Sequence, residues 1–116
     1  MANITPTLVI TDPIPGVETH FWETVTESDT PLASKSGGLL PLVSTIQVTG
    51  TFGSASVAVQ GSNDNTAWVS LKDISGSVVA ITAAGGAEFS TAFKYIRPFP
   101  SGGTSQDLDI YINHRY

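Results

Sequence analysis

Apolar positions recur at every second residue along most of the chain. In STIQVTGTF (44–52), Ile46, Val48 and Phe52 fall on one side, with Gln47 and Thr49 on the other. SVAVQGS (56–62) alternates through Val57 and Val59. DLDIYINHRY (107–116) places Leu108, Ile110 and Ile112 inward, and Asp107, Asp109, Tyr111 and Asn113 outward. A period of two sends successive side chains to opposite faces, so these runs predict strands with one buried and one wet face. VETHFWETVT (17–26), TAWVSLKD (66–73), VVAIT (78–82) and AEFSTAFKYIRPF (87–99) are rich in β-branched and aromatic residues and extend the series. No window of eleven residues keeps a helical period.

The breaks between runs carry turn chemistry. SNDN (62–65) is a strong turn signal, because Asn and Asp side chains bond nearby backbone. SGGTSQ (101–106) reads as a loop. Residues 27–41, with Pro31, Gly37, Gly38 and Pro41, form a long connection of a kind that is often functional. About seven or eight short strands at roughly 8–12-residue spacing predict an all-β fold. Alternation with one wet face favours antiparallel pairing. A jelly-roll-like β-sandwich is the first expectation and an immunoglobulin-like sandwich the alternative.

Residues 1–16 break the pattern. Pro6, Pro13 and Pro15 have no amide hydrogen for a ladder, so this stretch reads as an extended N-terminal arm ahead of a single sandwich domain at 17–116. Leu8, Val9 and Ile10 are too apolar for a free linker. They are expected either to lie on the chain's own domain or to dock on a neighbouring subunit. Phe21 and Trp22 are adjacent, so in a regular strand they face opposite sides. One of them is expected to cover an interface with the arm, a loop or another copy. Trp68, mid-run among apolar neighbours, is expected in the core.

Composition narrows the function. The chain has 116 residues, enough for one domain, and only 13% are charged, about half the usual share. The net charge is −5, and Lys35, Lys72, Lys94, Arg97 and Arg115 are scattered and are expected to form no cluster. Phosphate neutralisation needs clustered cations, which argues against nucleic acid and anionic membranes as partners. There is no cysteine, so neither a disulfide nor a thiolate metal site is available. MANITPTLVI has no basic leader and too short an apolar run for a signal peptide.

Candidate chemistry is sparse. His20 and His114 are the only histidines, and zinc needs three or four ligands. Asp107 and Asp109 share one strand face and, with Asp64 or Asp73, form a candidate calcium set. The bland alternative is a solubilising surface. No serine lies in G-x-S-x-G, and no phosphate-cradling glycine motif occurs. The expectation is a protein that is not an enzyme and requires no cofactor or metal.

VAVQGSNDNTAWVSL (57–71), followed by KYIRPF (94–99), resembles segments of small structural proteins of tailed bacteriophages. The likeness spans residues 46–112, about half of the chain. The same hairpin is similar to the GSND-x-x-x-W hairpin and later YIR strand of discoidin-like jelly rolls. This chain is shorter than those domains and lacks their long apolar loops. The resemblance implies a virion component such as a capsid decoration or cement protein. It would be assembled in the host cytoplasm, contact itself (as a homo-oligomer, for example a trimer) and bind a major capsid protein. The alternative is a carbohydrate- or receptor-binding module of a tail or fibre. It would be marked by an exposed aromatic platform with amide and carboxylate groups nearby.

Overall fold

The alternating runs pair into two antiparallel sheets that bury their shared apolar faces against each other. The computed structural model describes residues 2–4, 7–9, 17–26, 29–35 and 43–115. Among these lie eleven strands: β1 (Ala2–Ile4), β2 (Thr7–Val9), β3 (Val17–Val25), β4 (Asp29–Pro31), β5 (Ser34–Lys35), β6 (Val43–Thr51), β7 (Ser56–Ser62), β8 (Val69–Ser70), β9 (Gly85–Phe89), β10 (Tyr95–Ser101) and β11 (Asp107–Arg115). One sheet has the order β2-β3-β11-β6-β9 and the other β5-β10-β7-β8, with a separate parallel pair β1-β4.

This order is a jelly roll. Take β3 and β5 to β11 as eight successive strands. The first, eighth, third and sixth then lie side by side in one sheet, and the second, seventh, fourth and fifth in the other. Such winding leaves each sheet antiparallel and pairs the start of the domain with its end. The immunoglobulin-like alternative is therefore set aside.

The core follows the alternation. Ile46, Val48, Leu108, Ile110 and Ile112 come from the larger sheet and Val57, Val59 and Ile96 from the smaller, each at most 1% exposed. VVAIT does not form a strand. It contributes two isolated bridges, Val57 with Ile81 and Lys72 with Val78. Val79 and Ile81 are still buried, because the segment crosses the open side of the sandwich and drops alternate side chains into it.

One break in period matters for the site. β3 pairs with β11 at Ile110–Trp22 and at Leu108–Val25, so β3 spends three residues where β11 spends two. This bulge turns both Trp22 and Val25 inward. Its extra residue, Thr24, sits at φ 54°, a left-handed conformation that is costly for a β-branched side chain. Asp109 Oδ1 accepts the Thr24 N–H at 3.0 Å and holds the bulge. Across the sheet, Gly50 has φ 110°, and a Cβ there would lie 2.2 Å from the Asp107 carbonyl oxygen, so only glycine fits.

The arm is not a free extension where it is described. β2 adds to the edge of the larger sheet, with Leu8 opposite His20 and Val9 opposite Thr19. β1 pairs with β4, and Leu32 N–H donates to the Ile4 carbonyl at 2.9 Å. The backbone of Leu8 and Val9 is thus committed to the chain's own sheet. Strand addition satisfies ladder groups of β3 that would otherwise be exposed. Ile10 lies outside the described residues.

Candidate functional site

Three places hold the side chains that bear on function: the outer face of each sheet and one end of the core. On the larger sheet, two complete rows cross its three central strands. Phe21, Tyr111 and Gln47 form one row, and Thr19, Asn113 and Thr45 the next. All six are uncharged. Phe21 and Tyr111 stack at 4.3 Å between centroids, and Thr19 Oγ1 donates to Asn113 Oδ1 at 2.8 Å. The centre of the face is uncharged; Glu88 borders it beside Thr45 and Asp109 beside Thr49.

Phe21 is the outward member of the aromatic pair. Trp22, expected as a partner contact, is not one: it is fully buried, and its Nε1–H donates to the Leu32 carbonyl at 2.8 Å. The strand parity that sends Phe21 out sends Trp22 in, and the core has room for it because the bulge brings Val25 beside it.

On the smaller sheet, the outward positions of β10 are Tyr95, Arg97 and Phe99. Trp68, expected in the core, joins them instead and is half-exposed. Ser70 pairs with Gln60, an outward position of β7, so Trp68, two residues before Ser70, falls on the same face. The Arg97 guanidinium lies 4.0 Å above the Trp68 ring and 5.3 Å from the Phe99 ring. Gln60 Oε1 accepts its Nε–H at 2.8 Å. Partial burial lowers the Arg97 pKa from its ordinary value, while the group stays charged. Phe99 is 40% exposed. Trp68→Ala is therefore expected to cost about 1–2 kcal/mol in urea unfolding. A loss near 4 kcal/mol would put the ring back in the core.

Beside this ladder lies a cavity of about 220 Å³ between β4 and the edge of β10, lined by Asp29, Thr30, Pro31, Arg97, Phe99 and the two β10 prolines. β5 covers β10 only at Tyr95 and Ile96, so the rest of that edge is left to β4. Pro98 and Pro100 suit an edge, since they have no amide hydrogen to leave unpaired. A wider groove of about 640 Å³ borders β9 and the 73–75 loop.

The remaining predicted groups serve the fold. Asp64 Oδ1 accepts the Thr66 and Ala67 N–H groups at 2.9 Å each and the Ser62 hydroxyl, closing the SNDN turn. Those bonds hold its carboxyl below the usual carboxylate range. Asp73 Oδ1 accepts from Ser75 and Ser77. With Asp109 holding the bulge, the candidate calcium set does not converge. Among the described residues, no three His, Asp or Glu side chains could hold a metal ion.

At one end of the core, His114 continues the inward phase of β11 and is fully buried. Its Nδ1 is 2.8 Å from Ser44 Oγ, and its Nε2 has no hydrogen-bond partner among the described residues. The His20 ring stands edge-on at 6.0 Å, and His20 Nε2 is 2.6 Å from Glu18 Oε1. Burial, reinforced by His20 and partly opposed by Glu18, pushes the His114 pKa down to about 4. Ser44 is 1% exposed, so this Ser–His contact has no access to a substrate.

The fold has a solved counterpart. The SPBc2 prophage-derived protein YomS superposes with a TM-score of 0.59 over 90% of this chain and 98% of its own, at 12% identity. PirA covers 92% of this chain at 12% identity with a TM-score of 0.42, and no argument rests on it. No family model and no curated protein matches the chain.

Proposed function

We propose that the chain is a non-enzymatic structural module of a phage particle, a decoration or cement protein that stabilises a shell through repeated contacts. One observation carries the reading: the central rows of the larger sheet's outer face are uncharged, with a stacked Phe21–Tyr111 pair. Such a surface packs against a like surface without desolvating charge. The fold shared with a prophage-derived protein supports the same origin. Its partners on this reading are further copies of itself and a major capsid protein, and its location is the particle surface. Each contact need only be modest, because a repeated array multiplies weak contacts through effective concentration.

The test is to purify particles from the strain that carries the gene and quantify this chain by peptide mass spectrometry. Many copies per particle are expected. Recovery only from the soluble fraction would contradict the reading. A second reading, a sugar- or receptor-binding module, is favoured by the Trp68–Arg97–Phe99 ladder on the opposite sheet.

A further inference from the structure

We infer that the outer face of the smaller sheet is a binding site for a carboxylate-bearing sugar, with Arg97, seated on the Trp68 ring, as the anion-binding group and Phe99 as the stacking surface. The inference deepens the second reading and is independent of the first. It starts from charge. The chain carries ten acids against five bases, yet three of those bases gather at this sheet. Arg97 lies on it, Lys94 Nζ is 5.4 Å from the Tyr95 ring, and Lys72 is exposed two residues past Ser70 on the Trp68 side of its segment.

Arg97 is held in place, yet not by an acid. Among the described residues the ion pair found is His20–Glu18, and Arg97 has no carboxylate partner. A guanidinium has five N–H donors in a planar fork, and among the described residues Gln60 takes the Nε–H alone. The Trp68 ring beneath and the Gln60 amide hold the guanidinium in place. A guanidinium fork can meet a carboxylate bidentately. The adjoining cavity of about 220 Å³ is below the range for a drug-sized ligand and suits one ring-sized group. Its walls offer the C–H-rich faces of prolines and Phe99, plus the Thr30 hydroxyl for sugar hydroxyls, while Asp29 Oδ2 already accepts the Thr26 N–H and hydroxyl. Aromatic faces with a few placed polar groups are what a pyranose ring requires. The positive charge selects an acidic one, such as a uronic or sialic acid.

The experiment is an array of uronic- and sialic-acid oligosaccharides printed beside the same sugars with their carboxyls reduced to alcohols, and beside single-stranded oligonucleotides. The carboxylated sugars are expected to bind at least tenfold better than their reduced forms. Arg97→Lys keeps the charge and removes the planar fork, and it is expected to lose most of that preference. Phe99→Ala, at an exposed position, is expected to weaken binding with an unchanged melting midpoint. Equal binding to reduced sugars would overturn the carboxylate assignment while leaving the sugar-binding reading standing. Binding to no sugar would overturn both, and binding to oligonucleotides alone would replace the ligand class.

Discussion

Trp22→Ala is expected to lower the unfolding free energy by about 3–5 kcal/mol, the range for deleting a buried large aromatic. A single domain commonly has only about 5–15 kcal/mol in total, so the variant would be close to unfolded. Trp22 is fully buried, lies across the bulge from Leu108 and Ile110, and reaches out of the core to the Leu32 carbonyl. Trp22→Phe separates these contributions. It keeps most of the apolar volume and leaves that carbonyl without its donor, for an expected loss of about 1–3 kcal/mol. Urea unfolding of the three proteins measures both. A folded Trp22→Ala protein with an unchanged midpoint and lost assembly would show that the ring is a partner contact after all.

Acid is expected to destabilise the fold well above the range where carboxylates titrate. The ordinary histidine value is 6.5, and His114 is held at about 4 in the fold. Between those values the unfolded chain binds a proton that the folded chain does not. Stability from this group is therefore complete above about pH 6.5, falls as pH drops through the window, and is fully lost below about pH 4. The sum is about 3 kcal/mol, at roughly 1.4 kcal/mol per pH unit. Chemical denaturation from pH 7.5 to 4 gives the slope. NMR titration of the ring protons locates the proton uptake without a mutation. His114→Gln is expected to flatten the slope. A His114 ring that titrates near 6.5 in the folded protein would contradict its burial.

Much of this architecture was legible in the alternation, because a strand buried on one face must write its period into the chain. Leu108, Ile110 and Ile112 face inward as the pattern requires, and so do Val57 and Val59. His114 was legible too, as the next residue in phase with that series. Two features were hidden for physical reasons. The bulge at Thr24 adds one residue to β3 and puts Trp22 and Val25, three apart, on the same side, which no period of two predicts. The hydrophobicity of Trp68 suggests the core, whereas its phase with Ser70 and Lys72 places it outward. The gathering of Lys72, Lys94 and Arg97 at one sheet depends on β10 lying beside β7. That neighbour relation is set by the winding of the jelly roll and not by sequence distance.

On the reading proposed above, the uncharged central rows of the larger sheet join copies of this chain. Gln47 is exposed at the end of the Phe21–Tyr111 row, so Gln47→Lys places a charge on that face without touching the core. The measurement is solution mass by light scattering for the wild type and this variant, with melting midpoints as the control for folding. The wild-type mass is expected to be a whole-number multiple of 12.1 kDa, and the variant, with the same midpoint, to fall to 12.1 kDa itself. A wild type that stays at 12.1 kDa at every concentration, or a variant that keeps the wild-type multiple, would contradict that reading.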